Sequence, residues 1–449
     1  MSQTVFPKDF MWGAACSAMQ LEGGRHEGGK TDNIREHAFY DPATSNKYED
    51  HFPPDIGADF YHKYPEDIKL MKELGIKTFR FTIAWARICP DKSCTPNQAG
   101  IDYYSSMIDM LIENGIMPFF DLLHSDLPQW VFEEGGFPSE KFIEYFSRYA
   151  EICFREFGSR VPYWCTVNEP KLIVYGAYAH AHGTPYLWDK ALAMKATKNM
   201  ILAHFEAVKI LRKICPNAKI GSIHNAGACY PVSDDPADIS AAKLHSEMQH
   251  LFLSPMMTGR YPDLVLQSDL AEYIHEDDIR QISEAFIPMD FYGINYYCPS
   301  FIQAEENTKK KGPYQHGLPV DAYGFTTYAP GLFDTLQDMN LHYPGKEVLI
   351  TENGYTYKRN LPDFSVTGSL HDIERIDYIR QHVEQCERAV QAGIDLTGYF
   401  YWSIMDCWEG SMGYGYPMGL IAVNFETLER VPRESFYYYQ KLIREKTAE

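Results

Sequence analysis

The stretch YPEDIKLMKELGIKTFRFTIAW, residues 64–85, decides the fold class. Residues 64–74 carry apolar side chains at helical spacing, and Gly75 follows at once. Glycine adopts the left-handed conformation that ends a helix without steric cost. Residues 78–85 are then rich in aromatic and β-branched side chains, which favour a buried strand. The stretch therefore predicts a helix, a tight turn and a strand in direct succession.

The same unit recurs along the whole chain. Gly115 and Gly393 occupy the same place in IENGIMPFF (112–120) and VQAGIDLTGYF (390–400). Further helical patterns cover 103–113, 142–157, 191–214 and 373–392. Strand-like runs cover 10–15, 78–85, 116–123, 163–168, 219–224, 290–295, 348–352 and 396–402. Eight strands alternating with helices predict an α/β fold, the (β/α)8 TIM barrel.

Nothing in the composition divides the chain into parts. No linker or low-complexity tract separates two halves, so we expect a single (β/α)8 barrel domain over residues 1–449. The polar, lysine-rich segment 303–318 follows the sixth strand, and its composition predicts a long exposed loop.

Charge and cysteine usage exclude several classes of partner. The 41 basic and 61 acidic residues give a net charge of −20, which opposes binding to nucleic acid or anionic membranes. No run of apolar residues reaches the roughly 18 to 20 needed to span a membrane, and the start shows no secretion signal. The ten cysteines include no C-x-x-C pair, which indicates free thiols rather than a metal site or disulfides. We expect a cytoplasmic protein without metal or cofactor.

Polar residues close most of the predicted strands. The carboxyl ends of barrel strands face the reaction site, so these residues are expected to converge on one pocket. At or just after strand ends stand His124, Asn168, Glu169, Asn295, Tyr297 and Glu352, with the aromatic Trp402 at the last strand and Glu409 beyond it, and the second strand contains Arg80. Such a pocket suits a ligand with many hydroxyl groups.

Two of these side chains, Glu169 and Glu352, form the pair that glycosidic bond cleavage requires. One carboxyl must give a proton to the leaving oxygen while the other, ionised, attacks or activates water. Glu352 would stay ionised beside Arg80 with a hydrogen bond from Tyr297. Glu169 has no cation next to it in sequence, so it is the expected proton carrier.

The order and spacing of seven motifs resemble those of the family 1 glycoside hydrolases, the retaining β-glucosidase family. The motifs are FMWGAACSAMQLEGG (10–24), FRFTIAWARICP (79–90), LLHSDLPQW (122–130), CTVNEP (165–170), DFYGINYY (290–297), ITENG (350–354) and YFYWSIMDCWEG (399–410). The resemblance extends from Phe6 to the C-terminal helix.

This resemblance implies a double displacement at a β-glycoside or oligosaccharide substrate, with no metal or cofactor. Glu352 matches the nucleophile and Glu169 the acid/base, while Arg80 and Tyr297 match the supports of the nucleophile, and Asn295 lies near it. The residues that match the sugar-binding positions are Gln20, His124, Asn168, Glu409 and the stacking platform Trp402. Phe325 matches a position that contacts the leaving group. A homo-oligomer is also possible.

At three positions the sequence departs from the family pattern. Ser125, Gly410 and Met418 stand where the family usually has aromatic residues. Neighbours such as Trp408 or Phe325 would compensate in one interpretation. In the other, the pocket is roomier and admits a sugar with altered or substituted hydroxyls.

Three alternatives remain at this point. A 6-phospho-β-glycosidase needs a phosphate site, but Glu409 would repel phosphate and segment 410–418 contains no Lys or Arg. A non-catalytic sugar-binding barrel commonly lacks one glutamate, and both are present here. A metal hydrolase would need ligands beyond the pair His180 and His182.

Overall fold

Eight parallel strands form a closed barrel in a computed structural model that describes residues 5–447. In chain order they are β1 Met11–Cys16, β2 Thr78–Thr82, β3 Met117–Asp121, β4 Tyr163–Asn168, β5 Lys219–Asn225, β6 Phe291–Asn295, β7 Glu347–Asn353 and β8 Leu396–Trp402. Each strand pairs with its neighbours in the chain, and β1 pairs with both β2 and β8. The predicted (β/α)8 TIM barrel is confirmed. Of the expected domain 1–449, residues 1–4 and 448–449 lie outside the described part.

One long helix follows each strand. They are α1 Phe60–Leu74, α2 Gln98–Glu113, α3 Lys141–Phe157, α4 Lys190–Ile214, α5 Pro236–Thr258, α6 Pro330–His342, α7 Ile373–Gln391 and α8 Glu434–Thr447. Gly75 and Gly393 follow α1 and α7 with φ of 85° and 83°, the left-handed turn that the sequence predicts. Capping also marks helix starts, since the Asp189 carboxylate accepts a hydrogen bond from the Leu192 amide.

Shorter helices and strands lie in the connections between the barrel strands and the long helices. The helices are Ala18–Leu21, Ile34–Tyr40, Trp85–Ile88, Gln129–Glu133, Ala177–Ala179, Asp263–Leu266, Glu276–Ala285 and Glu305–Lys311. The strands are Cys229–Pro231 paired with Ser300–Ile302, and Ile421–Val423 paired with Arg430–Pro432. Most of them lie in the connections on the carboxyl side of the barrel strands, where the site is.

The segment 303–318 is not the plain loop that its composition predicts. Glu305–Lys311 is helical, with Glu305 and Lys309 paired at 2.5 Å across one turn. Acidic residues at its start and lysines at its end match the helix dipole. The Asn307 side chain is buried and donates a hydrogen bond to Asp238 at 2.9 Å. The order of charges along Glu305–Lys311 and the buried hydrogen bond of Asn307 therefore stabilise a helix in a segment whose polar composition predicts a loop.

Large apolar side chains fill the barrel interior. Phe119 lies 5.6 Å from Phe291 and 5.8 Å from Phe400, ring centre to ring centre, and Leu349 is fully buried among them. A second, larger apolar layer lies between the strands and the helices. This packing holds the strand ends in place.

Two further expectations concern the cysteines and the membrane. All ten cysteines are free thiols, as predicted. Within residues 5–447, no helix has the length and apolar character that crossing a membrane requires.

Candidate active site

A cavity of about 430 Å³ opens at the carboxyl ends of the barrel strands. Nine of the predicted site residues line it: Gln20, His124, Asn168, Glu169, Tyr297, Phe325, Glu352, Trp402 and Glu409. Arg80 and Asn295 are almost fully buried and contact the lining from below. The structure thus brings every predicted site residue to one place.

Both carboxylate oxygens of Glu352 are held by hydrogen bonds. Arg80 Nη1 donates to Oε1 at 2.7 Å, and the Tyr297 hydroxyl donates to Oε2 at 2.8 Å. Burial raises the pKa of Glu352 above its ordinary value, while Arg80 and Tyr297 act in the opposite direction. Three fully buried residues before it in β7, Val348, Leu349 and Ile350, leave this side chain little freedom.

Glu169 has a different environment. It follows β4 with φ of 49°, a left-handed backbone that is uncommon outside glycine. Its carboxyl accepts a hydrogen bond from Asn295 Nδ2 at 2.9 Å, and no ion-pair partner lies within 4 Å among residues 5–447. Burial, and then the charge of Glu352, raise the pKa of Glu169 to about 8. The carboxyl therefore keeps its proton near neutral pH.

One hydrogen-bond network joins the two carboxyl groups. Asn168 Oδ1 accepts from Arg80 Nη2 at 2.7 Å and from Asn295 Nδ2 at 3.0 Å. The Thr351 hydroxyl donates to Asn295 Oδ1 at 2.7 Å, which fixes the orientation of that amide. A shift in any of these groups would move both carboxyls.

The opposite wall presents polar groups beside an indole face. Gln20 Nε2 donates to Glu409 Oε2 at 2.9 Å, and burial raises the pKa of Glu409 to about 7. The His124 and Trp402 rings lie nearly parallel, 9° apart, with centres separated by 5.5 Å. Burial, reinforced by the charges of Arg80 and Arg35, holds the pKa of His124 well below its usual range, so the imidazole is neutral.

Aromatic rings form the rim near Phe325. Phe325 stacks on Tyr323 with centres 5.3 Å apart and lies 5.4 Å from Tyr297. Sequence reasoning singled out Phe325 but missed Tyr323, which also lines the cavity. The alternation in AYGF, residues 322–325, was the available signal.

The three departures from the family pattern all lie in the lining. Ser125, Gly410 and Met418 border the cavity, so the missing aromatic groups do change its walls. Trp408 does not compensate for them, because it is fully buried and stacks on Tyr48 at 5.7 Å. The expectation for Trp408 is wrong, since its indole packs in a separate apolar cluster that includes Tyr48, Phe364 and Tyr414. Phe325 does line the cavity.

Sequence reasoning missed Arg35. Its side chain lines the cavity from the short helix Ile34–Tyr40, in the connection between β1 and α1. That connection is long and Arg35 lies at no strand end, so no pattern in the sequence marks it as a site residue. Only the folding of this connection across the barrel mouth reveals the residue.

Of the pair His180 and His182, only His182 is among the residues that line the cavity. The two rings lie 6.2 Å apart. Over residues 5–447, the one group of three possible metal ligands is His250, Asp338 and His342, on α5 and α6. Neither residue of the pair belongs to that group.

Comparison with known proteins assigns the family. A sequence profile described as Glycosyl hydrolase family 1 matches residues 2–448. The chain belongs to glycosyl hydrolase family 1. It is a glycoside hydrolase, and the family acts with retention of configuration at the sugar.

Relatives of this family 1 chain cover it almost end to end. β-Glucosidase A of Acetivibrio thermocellus is 36% identical over 99% of both chains, and β-glucosidase A of Thermotoga maritima is 34% identical over the same share. A 6-phospho-β-glucosidase of Bacillus subtilis is 32% identical over 98% of each. The solved structure of a Thermotoga maritima β-glucosidase in complex with glucoimidazole superposes with a TM-score of 0.93 at 33% identity, covering 99% of each chain.

Proposed function

We propose that this family 1 enzyme hydrolyses β-glucoside-type substrates with Glu352 as nucleophile and Glu169 as acid/base. The observation that carries the assignment is the contrast between the two carboxyls. Burial raises the pKa of Glu352, but hydrogen bonds from Arg80 and Tyr297 act against this and favour its charged form. Over the described range 5–447, Glu169 has no such cation, and burial and the charge of Glu352 raise its pKa to about 8. Two carboxyls with separated proton affinities in one cavity are what a retaining glycosidase uses.

In the first step, a Glu352 oxygen attacks the anomeric carbon. A bond forms between that oxygen and the sugar while the glycosidic carbon–oxygen bond breaks. The leaving oxygen takes the proton of Glu169, so the aglycone departs as a neutral alcohol or phenol. The products of this step are a glycosyl ester on Glu352 and an ionised Glu169.

In the second step, Glu169 acts as a base. It removes a proton from water as the water oxygen attacks the anomeric carbon and the ester bond to Glu352 breaks. The change of role has an electrostatic reason. Esterification removes the charge of Glu352, which is one of the two causes that raise the pKa of Glu169, so that pKa falls when a base is needed.

The cavity walls support a sugar ligand. Gln20, His124, Asn168 and Glu409 supply hydrogen-bonding groups, and Trp402 offers a flat face for the sugar ring. Phe325 and Tyr323 form an aromatic wall for the leaving group. The 6-phospho-glycosidase alternative has less support, because Glu409 remains acidic and segment 410–418 has no Lys or Arg.

Two finer expectations stay predictions. A cytoplasmic location is supported by the ten free cysteines, which suit a reducing compartment. The second of these predictions is a homo-oligomer.

The test of the nucleophile uses 4-nitrophenyl β-D-glucoside. We expect Glu352→Gln to reduce kcat at least about a thousandfold, since it removes the attacking oxygen but keeps the shape. The exposed Glu426, changed to Gln, is the matched control and should retain wild-type rates. Equal rates for wild type and Glu352→Gln would leave only a sugar-binding protein.

The test of the acid compares leaving groups. We expect Glu169→Ala to slow methyl β-glucoside at least about a hundredfold more than 2,4-dinitrophenyl β-glucoside, because only the poor leaving group needs a proton. Steady-state kinetics with both substrates give the ratio. Equal losses for the two would contradict the assignment of Glu169.

A further inference from the structure

Arg35 brings a cationic side chain into the sugar cavity. Its guanidinium lies between two loops of the barrel mouth, one after β4 and one after β8. A Cβ atom placed on Gly410 would be 2.6 Å from Arg35 Nη1, and a Cβ atom on Gly183 would be 3.9 Å from Nη2. A side chain at 410 would therefore require the guanidinium to move from this position. Because Gly410 has no side chain where the family usually has an aromatic residue, the Arg35 guanidinium occupies the space beside it.

The Arg35 charge is not cancelled by the protein. Across residues 5–447, no carboxylate lies within 4 Å of its guanidinium, and its only hydrogen bonds are made by its backbone. The fully buried Arg80, Arg87 and Arg433 are different, since each pairs with a carboxylate at 2.7 to 3.0 Å. A partly buried cation is stabilised by an anionic partner. An anion that pairs with the Arg35 guanidinium would lie on the open side of the cavity.

The charges around the cavity also leave room for an anion. Glu352 is paired with Arg80, and Glu169 carries its proton near neutral pH. Glu409 is bound by Gln20, and burial raises its pKa to about 7. Arg35 is therefore the lining residue with a permanent charge and no partner. A singly charged group fits this balance better than a phosphate dianion would beside Glu409.

We propose that Arg35 is a specificity-determining residue that binds a carboxylate or sulfate ester carried by the sugar, so that acidic β-glycosides are preferred substrates. The inference rests on the proposed function and names its substrate class. Guanidinium binds carboxylate and sulfate through two parallel N–H donors, which a hydroxyl group cannot match. Ser125, which stands in the lining where the family usually has an aromatic residue, leaves the volume for such a substituent.

The kinetic test compares three substrates: 4-nitrophenyl β-D-glucoside, the corresponding β-D-glucuronide and the 6-sulfated glucoside. We expect wild type to show a kcat/KM at least about tenfold higher for one of the two acidic substrates than for the neutral one. Whichever acidic substrate is faster identifies carboxylate or sulfate as the ligand. Arg35→Gln should lose ten- to a hundredfold on that substrate and less than about threefold on the neutral glucoside.

Two variants guard against a folding artefact. Arg35→Lys keeps the charge but loses the paired donors, so it should fall between wild type and Arg35→Gln. Arg280→Gln removes an exposed charge on the helix Glu276–Ala285, outside the cavity, and should change neither substrate. Melting temperatures of all variants check that they fold.

Failure of this inference differs from failure of the proposed function. Wild type that cleaves the neutral glucoside but neither acidic one, or Arg35→Gln that slows all three equally, would overturn the role of Arg35 alone. If wild type cleaves none of the three substrates, the glucosidase proposal fails. The role of Arg35 is then tested by isothermal titration calorimetry of glucuronic acid and glucose against wild type and Arg35→Gln. Glucuronic acid that binds wild type no more tightly than glucose does, or that binds both proteins equally, would overturn the role of Arg35.

Discussion

Glu169 and Glu352 show how neighbours give one residue type two chemistries. Glu352 accepts hydrogen bonds from a guanidinium and a phenol, which stabilise its charge. Glu169 accepts from one neutral amide and lies near the charge of Glu352, which opposes its own ionisation. At the residue scale, the proposed mechanism rests on these two sets of contacts.

The pH dependence of kcat/KM tests this contrast. We expect a bell-shaped profile, because Glu169 must be protonated and Glu352 ionised. The alkaline limb should have an apparent pKa near 8, from Glu169, and the acid limb one above the ordinary glutamate value, from Glu352. Glu169→Gln, assayed with an activated aryl glucoside, should lose the alkaline limb. A limb that persists would belong to another group, such as Glu409.

At the scale of elements, close contact between β7 and β8 places Glu352, the proposed nucleophile, and the Trp402 indole in one cavity. Gly354 directly follows β7, and a Cβ atom there would lie 2.0 Å from the backbone oxygen of Trp402. Four residues beyond β8, Asp406 accepts from Arg433, just before α8, at 2.8 Å and from Arg359, in the connection after β7, at 2.9 Å. The site therefore depends on backbone contacts as much as on side chains.

Gly354→Ala tests that backbone contact. The added methyl group must push β7 and Trp402 apart, so we expect kcat/KM to fall at least about tenfold and stability to fall by about 1–3 kcal/mol. Gly368→Ala is the matched control, because open space surrounds its Cβ position and its φ is ordinary. It should stay within about 0.5 kcal/mol of wild type. Chemical denaturation and glucoside kinetics measure both effects, and equal behaviour of the two variants would contradict the argument.

At the scale of the whole molecule, the active site lowers stability in a pH-dependent way. The folded state raises the pKa of Glu169 to about 8 from an ordinary value near 4.5. The folded protein therefore holds this proton more tightly than the unfolded chain. Its contribution to stability is fully present below about pH 4.5 and is lost as pH rises through 8.

Glu169→Gln should remove this loss. We expect the variant to melt above wild type at pH 9, by roughly 2 °C or more, and to show a smaller difference at pH 5. Glu426→Gln, on the exposed surface, serves as the control and should give the same difference at both pH values. Scanning calorimetry at the two pH values measures it. A larger gain at pH 5 than at pH 9 would reverse the sign of the argument.

Local patterns in the sequence determined the fold class and the eight strands, because strand periodicity and helix-ending glycines are short-range signals. Strand-end position also pointed to Glu169 and Glu352, which line the cavity and whose roles stay proposals. The same patterns mispredicted Glu305–Lys311, where charge order and a buried asparagine act together.

Only the tertiary structure decided which residues from irregular connections reach the cavity. Arg35 enters it, Tyr323 joins its rim and Trp408 turns away to stack on Tyr48. The physical reason is that connections have no periodicity that aims their side chains. Their direction is set by what they pack against, and Arg35 meets Gly410, a residue far away in the chain.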